Sequence, residues 1–238
     1  MNQKKKVLVI VIIGICFIIA ACAPYSAQSI NEAKIYDDEQ QKYYDQKYAE
    51  EPDPPADISD MLTLLDTCVG GQYVIGGQGD RITDEFLANR QKQKPDAFTK
   101  EQIKYLSQFA KDGEASDWRF PDHYAWDCSG LWWWSCNELG FYPKNIDCTA
   151  YITYHLYCMP ILKDDLRPGD LVFYQDEDDR IVHMGIVGRR GYIYESVCVF
   201  GGVVKKRTID ERIYVDKANG GIMTEPAWNV FGRPKIFE

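Results

Sequence analysis

Cys128 has the sequence setting of a nucleophilic cysteine. It lies within Trp-Asp-Cys-Ser-Gly at 126–130, where a loop meets an apolar segment that predicts a helix ending near Gly140. The start of a helix carries unpaired N–H groups and a positive potential, which favour a thiolate over a thiol. The same N–H groups can bind the oxyanion that forms when a thiolate attacks a carbonyl. Inert buried cysteines are also common, so a nearby base is the feature that would distinguish the two cases.

His183 is the candidate base. It lies in an alternating apolar segment, 181–187, which predicts a strand with His183 on its inward side. A buried histidine needs a hydrogen-bond partner, and the next predicted strand, beyond the turn at 188–191, contains Glu195. If the residue numbers of facing positions in the hairpin sum to an even value (an even register), Glu195 lies on the face of His183. If they sum to an odd value (an odd register), Glu195 lies on the opposite face. The turn length therefore leaves two readings open, an orienting partner of His183 and an exposed strand residue.

The elements that must position these residues predict an α+β domain. Apolar residues at helical spacing predict a helix that starts with Asp57 as its N-cap and stops at Gly70. Strands are predicted at 171–175, 181–187, 192–200 and 203–207, separated by turns that are rich in glycine, proline or acidic residues. Helices followed by an antiparallel meander are typical of the α+β class.

Four motifs in this order resemble the NlpC family of cell-wall cysteine peptidases. They are Tyr-Val-Ile-Gly-Gly at 73–77, Asp-Cys-Ser-Gly-Leu at 127–131, Leu-Arg-Pro-Gly-Asp-Leu-Val-Phe at 166–173 and His-Met-Gly-Ile at 183–186. The resemblance covers about residues 58–238 and implies a reduced papain-like fold, with N-terminal helices packed on an antiparallel sheet or open barrel. A block at 80–126 interrupts it and is either a lid over the cleft or a passive elaboration.

The resemblance implies a catalytic role for three residues. Cys128 matches the nucleophile and His183 matches the general base. Glu195, twelve residues beyond His183, stands where the family has a polar residue that orients the histidine. His, Asn or Gln is more usual there, but a carboxylate can accept the imidazole N–H and stabilise the imidazolium. No metal and no cofactor is expected in this chemistry.

The resemblance also implies how substrate is bound. Tyr73 matches a tyrosine that lines the catalytic cysteine, and Asp127 and Ser129 match positions at the mouth of the substrate cleft. The expected substrate is an amide bond in peptidoglycan stem peptides, which would make the protein a cell-wall endopeptidase. Two alternatives stay open: an amidase or acyltransferase on the same scaffold, and a non-catalytic surface lipoprotein that binds peptide in an inactive cleft.

The N-terminus predicts export and attachment to a membrane. Three lysines precede an apolar run over residues 7–21, and Ile-Ala-Ala-Cys follows at 19–22. These four residues resemble the lipobox of bacterial lipoproteins, which implies that residues 1–21 are a signal peptide and that Cys22 is lipidated. An uncleaved membrane helix is the alternative, although the run is shorter than the about 20 residues that a span requires. Both readings place the protein in the cell envelope, outside the cytoplasm.

The composition points to a tethered, acidic domain. Residues 22–57 are polar, contain five tyrosines and end in a proline-rich segment, so they predict a disordered acidic tether. The net charge of the 238-residue chain is −9, and it becomes −12 when cleavage removes three lysines and no acidic residue. Such a chain does not attract phosphate backbones, so a nucleic-acid partner is not expected. We expect a monomer.

Several other features of the sequence do not predict a functional site. Five of the eight cysteines have no assigned role, and the sequence does not decide whether they form disulfides; they are Cys68, Cys136, Cys148, Cys158 and Cys198. A zinc site at Cys148, His155 and Cys158 lacks a fourth ligand and a standard spacing. The acidic run at 176–179 predicts an exposed turn rather than a calcium loop. The three tryptophans at 132–134 are read as core in preference to a sugar-stacking platform.

Overall fold

A computed structural model describes residues 42, 45–110, 121–143, 146–198, 201–206, 212–215, 222–225 and 228–238, without the side chains of 212–215 and 222–225. The predicted signal peptide and Cys22 lie outside these residues. Within the described part of the chain, no helix combines the length and the apolar character that crossing a bilayer requires.

The helices of the domain precede most of its strands. The helices are α1 (Ala56–Cys68), α2 (Asp84–Gln93), α3 (Lys100–Leu106), α4 (Cys128–Glu138) and α5 (Ala150–Ile152), which continues into a π-helical turn at Thr153–Tyr157. The strands are β1 (Gln72–Tyr73), β2 (Gln78–Arg81), β3 (Tyr124–Trp126), β4 (Cys158–Pro160), β5 (Leu171–Gln175), β6 (Ile181–Val187), β7 (Ile193–Ser196), β8 (Val203–Lys206), β9 (Arg212–Val215), β10 (Ile222–Glu225) and β11 (Val230–Pro234).

A six-stranded antiparallel sheet forms the centre of the domain. Its order is β4-β11-β5-β6-β7-β8, and α4 packs against β6 and β7. The α+β class with helices packed on an antiparallel sheet is therefore confirmed. Strands β5 and β6 have the predicted bounds and β8 starts at the predicted residue, but β7 is shorter than predicted. The chain turns between β7 and β8, where the N–H of Val197 donates to the carbonyl of Gly202 and Gly202 adopts a positive φ of 66°.

The tryptophans of α4 fill the core between the helices and the sheet. Trp132, Trp133 and Trp134 are 1%, 0% and 7% exposed, which confirms the core reading and leaves no surface platform. The indole N–H of Trp133 donates to the hydroxyl of Thr153 at 2.9 Å, so this buried polar group is satisfied. Apolar side chains of α1 complete the same core.

Helices α3 and α1 begin in different ways. A capping box starts α3, in which the Thr99 hydroxyl accepts from the N–H of Gln102 and the Gln102 side chain accepts from the N–H of Thr99. The N-cap predicted for α1 is wrong: the helix begins at Ala56, and Pro55 occupies the cap position without a side-chain hydrogen bond. Asp57 instead lies in the first turn, where a negative charge is favourable.

The block at 80–126 forms a small module in its described residues. β2 and β3 join β1 in a three-stranded sheet of order β1-β3-β2, in which β1 and β3 are parallel. The module has its own apolar core, made by Val74, Ile82, Leu87, Leu106 and Ala125. Because β3 ends one residue before Asp127, this module leads the chain directly into the start of α4.

Residues 45–57, which the sequence assigned to the disordered tether, contact the domain. The backbone N–H of Arg190 donates to the Glu51 carboxylate at 2.6 Å, and Arg189 pairs with Asp53 at 2.9 Å. Tyr48 packs against the apolar cluster made by Val172, Val187, Ile193 and Trp228. Two arginines of the β6–β7 turn therefore hold the acidic segment against the domain. These partners are too far apart in sequence for local patterns to predict the contact.

Candidate active site

Asp127 determines where α4 begins and therefore where Cys128 lies. Its carboxylate caps the helix by accepting from the N–H of Gly130 at 2.6 Å, and it also accepts from the N–H of Gly76 at 2.6 Å. The N–H of Asp127 donates in turn to the carbonyl of Gly77 at 2.9 Å. The start of α4 is thus fastened to the glycine loop after β1, and Cys128 is the first helical residue.

His183 and Glu195 lie together on one face of the sheet. In the β6–β7 hairpin, Ile186 pairs with Tyr194 and Val187 pairs with Ile193, which is the even register. The carboxylate oxygen Oε2 of Glu195 lies 3.0 Å from Nε2 of His183, and the two side chains are 1% and 13% exposed. The structure therefore brings the predicted pair together, and the reading of Glu195 as an exposed strand residue is wrong.

His183 also forms a hydrogen bond with Cys128, which joins the three predicted catalytic residues in one chain of contacts. Burial by itself lowers the pKa of His183, but hydrogen bonds and negative charge from Cys128 and Glu195 outweigh it and raise the pKa from 6.5 to about 9. At neutral pH the imidazole between these two groups is therefore protonated. An imidazolium in this position stabilises negative charge on sulfur and can later supply a proton.

The three residues predicted to bind substrate surround the start of α4. Tyr73 is half-buried, and its pKa is raised by burial and then by the negative charges of Cys128, Asp127 and Cys198, which places its hydroxyl near the candidate nucleophile. Ser129 is buried, and its hydroxyl donates to Asp127 at 3.2 Å. Asp127 and Ser129 thus bond within the protein and shape the start of the helix. Contact of any of the three residues with substrate stays a prediction.

Sequence reasoning missed two residues that support this site. The Ser196 hydroxyl, fully buried, donates to the carbonyl of Trp126 at 2.7 Å and fastens β7 to the segment that precedes Cys128. Trp228 stacks on His183 with ring centroids 5.4 Å apart. Strand alternation places Ser196 on the face of Tyr194, opposite Glu195, which the sequence could have indicated, whereas no local pattern indicates Trp228.

The other candidate sites do not assemble in the described residues. No three His, Cys, Asp or Glu side chains come together there as metal ligands. The acidic run forms the turn that the sequence predicted, and within it Asp176 pairs with Arg180 at 2.8 Å. All six cysteines in the described residues are free thiols, and burial raises the pKa of the Cys68 and Cys158 thiols to about 12. Burial therefore disfavours the thiolate form of these two cysteines.

Comparisons with known proteins identify the same region of the chain. Residues 112–227 match the NlpC/P60 family. Among solved structures, NlpC1 from Trichomonas vaginalis is 16% identical, with 77% of this chain and 46% of that chain covered and a TM-score of 0.43. NlpC2 from the same organism is 17% identical, with 77% of this chain and 49% of that chain covered and a TM-score of 0.41. A lipoprotein-like NLP/P60 protein from Staphylococcus aureus is 17% identical, with 61% of this chain and 50% of that chain covered and a TM-score of 0.29. The chain spans about half the length of these proteins, and no curated protein matches it.

Proposed function

On the premise that residues 112–227 belong to the NlpC/P60 family, we propose that this protein is a cysteine peptidase that hydrolyses amide bonds in peptidoglycan stem peptides. We propose further that it acts outside the cytoplasm while anchored to a membrane. The observation that carries the proposal is the continuous contact of Cys128, His183 and Glu195 at the start of a buried helix. This arrangement supplies a nucleophile, a base and an orienting carboxylate.

The first half of the reaction forms an acyl-enzyme. His183 holds the proton of Cys128, and the thiolate attacks the carbonyl carbon of the scissile amide. The backbone N–H groups of Cys128 and Ser129 are the candidates to receive the oxyanion, since the N–H of Gly130 is already bonded to Asp127. The tetrahedral intermediate collapses as the C–N bond breaks, and His183 transfers its proton to the leaving amine.

The second half releases the acyl group. His183, now neutral, takes a proton from a water molecule, and the resulting hydroxide attacks the thioester. The thiolate leaves, the carboxylic product departs, and the imidazolium with its thiolate partner is restored. Glu195 stabilises the positive imidazole at both stages because its carboxylate is desolvated and 3.0 Å away. The chemistry needs no metal ion.

Membrane anchoring is supported by the lipobox-like segment that ends at Cys22. A diacylglyceryl group on that thiol would hold the domain at the membrane, and residues 23–44 would set how far it can reach into the wall. The proposed partners are therefore the membrane and the stem peptides of nearby peptidoglycan. Replacement of Cys22 by Ala should abolish labelling by a radioactive fatty acid and release the protein from membranes. Equal membrane retention of this variant would contradict the lipid anchor.

The catalytic proposal is tested with the full-length protein, purified in a mild detergent and incubated with peptidoglycan. Mass spectrometry of the soluble products should show stem peptides cut between amino acids. The variants Cys128→Ala and His183→Ala should release nothing while keeping the wild-type circular dichroism spectrum, and Cys148→Ala serves as the matched cysteine control. Release of whole stem peptides would identify an amidase, and the absence of any product from the wild type would support a peptide-binding protein. Full activity of Cys128→Ala would refute the assignment.

A further inference from the structure

We propose that Trp228 is a positioning residue for His183, which it holds by covering one face of the imidazole. The two rings are nearly parallel, with an interplanar angle of 13° and centroids 5.4 Å apart, and Trp228 is only 3% exposed. The role of His183 as base rests on the function proposed above, but the stacking and its effect on the thiol of Cys128 can be measured without substrate.

Trp228 is fixed by the residue that follows it. The Asn229 side chain bonds to both backbone groups of Gln175, accepting from its N–H and donating to its carbonyl at 2.8 Å each. The N–H of Asn229 donates to the carbonyl of Phe173 at 3.2 Å. The indole is therefore attached to the end of β5, the strand that pairs with His183 through Tyr174. The hydrogen bonds of Asn229 therefore help to fix the position of the indole, in addition to the contacts of the indole itself.

The face of β6 next to His183 has room for the indole. Gly185 lies two residues beyond His183 on the same face, and a Cβ there would come within 3.3 Å of Trp228 and 2.7 Å of Ile193. Only a glycine lets both side chains approach the strand this closely. Trp228 then joins Val172, Val187 and Ile193 in a buried apolar cluster.

Stacking has two consequences for the imidazole. The indole restricts rotation of the ring about its Cβ–Cγ bond, which helps to keep the two nitrogens directed at Cys128 and Glu195. An aromatic face also attracts the positive charge of an imidazolium and excludes water from it. The titratable groups around the ring are Cys128 from α4, Glu195 from β7 and Tyr174 from β5. Loss of the stack should weaken the thiolate–imidazolium pair.

The test measures how fast Cys128 is alkylated by iodoacetamide as a function of pH, with each cysteine resolved by peptide mass spectrometry on the full-length protein. We expect Trp228→Met, which keeps much of the volume without an aromatic face, to shift the pH midpoint for Cys128 upward by about one unit, a roughly tenfold loss of reactivity at a fixed lower pH. Trp228→Phe should recover about half of that shift. Val172→Ala, which perturbs the same cluster without touching the stack, should leave the midpoint unchanged.

Three outcomes would overturn the proposal. They are a wild-type midpoint in Trp228→Met, an equal shift in Val172→Ala, and no difference between Met and Phe at position 228. Should the Met variant not fold, a wild-type midpoint in Trp228→Phe overturns it alone. On peptidoglycan, kcat should fall while KM stays the same, because Trp228 is buried behind His183. A wild type that reacts with iodoacetamide as expected but hydrolyses nothing would refute the proposed function and leave this inference standing.

Discussion

Replacement of Glu195 by Gln tests the least conventional part of the site. The substitution keeps the side-chain shape and an oxygen that can accept from Nε2 of His183, now 3.0 Å from the carboxylate, but it removes the negative charge. The imidazolium still donates to the amide, but it loses the attraction of a nearby opposite charge, which shifts a pKa by about 1–3 units at about 1.4 kcal/mol per unit. We therefore expect a loss of about 1.5 kcal/mol of transition-state stabilisation, which is roughly a tenfold decrease in kcat/KM.

The same substitution should change the pH profile of hydrolysis. Glu195 is one of the two partners that raise the pKa of His183 to about 9, and the alkaline limb of the profile reports loss of the imidazolium proton. Because removing a negative charge disfavours the imidazolium, the alkaline limb should move from near pH 9 to lower pH. Glu195→Ala should be worse, by roughly 10²–10³-fold, since it leaves a buried charge unpaired.

Release of soluble peptides from peptidoglycan, measured between pH 5 and 10, is a suitable assay. Glu177→Gln removes the same charge from the exposed acidic turn and should behave as the wild type. A Glu195→Gln variant with activity within about twofold of the wild type and an unmoved alkaline limb would refute the reasoning. In that case Glu195 would be a buried strand residue whose contact with His183 has no catalytic consequence.

Three further predictions concern stability and geometry. Arg233→Met should lower the free energy of unfolding by about 3–5 kcal/mol in urea titrations, because Arg233 forms a two-point pair at 2.9 Å with the buried carboxylate of Asp170; a loss below 1 kcal/mol would contradict this. Gly130→Ala should decrease kcat/KM about 100-fold, because its Cβ would collide with the glycine loop that holds the start of α4. Gly140→Ala meets no atom within 4 Å but strains a positive φ of 73°, so it should lower stability and retain activity. Because the pKa of His183 is raised to about 9, its protonation stabilises the fold fully below about pH 6.5, and this stabilisation is lost as the pH rises through about 9. The difference in the free energy of unfolding between wild type and His183→Ala should therefore shrink by roughly 3 kcal/mol over that window. A difference that does not depend on pH would refute the linkage.

Features that depend on local patterns were predictable from the sequence. Apolar segments bounded by turn residues identified β5 and β6 with their observed bounds, and the loop-to-helix transition placed Cys128 at the first position of α4. The motifs around these elements predicted the family that residues 112–227 match. The hairpin register was reduced to two choices, and the observed even register is the one that brings Glu195 to His183.

Features that depend on long-range contacts were not predictable. Asp127 and Gly76 are 51 residues apart, and Arg190 and Glu51 are 139 apart. Single-sequence patterns report capping and periodicity over a few residues, so they could not show that the acidic segment returns to the sheet. Asp127 is a partial exception, since an Asp directly before an apolar helix is an N-cap signature.

A carboxylate next to His183 poses a chemical problem that the site geometry resolves. A base with a pKa of about 9 holds the Cys128 proton well, but it is a poor acid for the leaving amine, because proton transfer is most effective when the pKa lies near the working pH. Two partners raise that pKa, however, and one of them is Cys128 itself. Once the sulfur has attacked the carbonyl it carries no charge, so its contribution disappears and the pKa of His183 falls. In the proposed reaction the imidazolium therefore becomes more acidic at the step in which it must protonate the amine, while Glu195 keeps the ring in place.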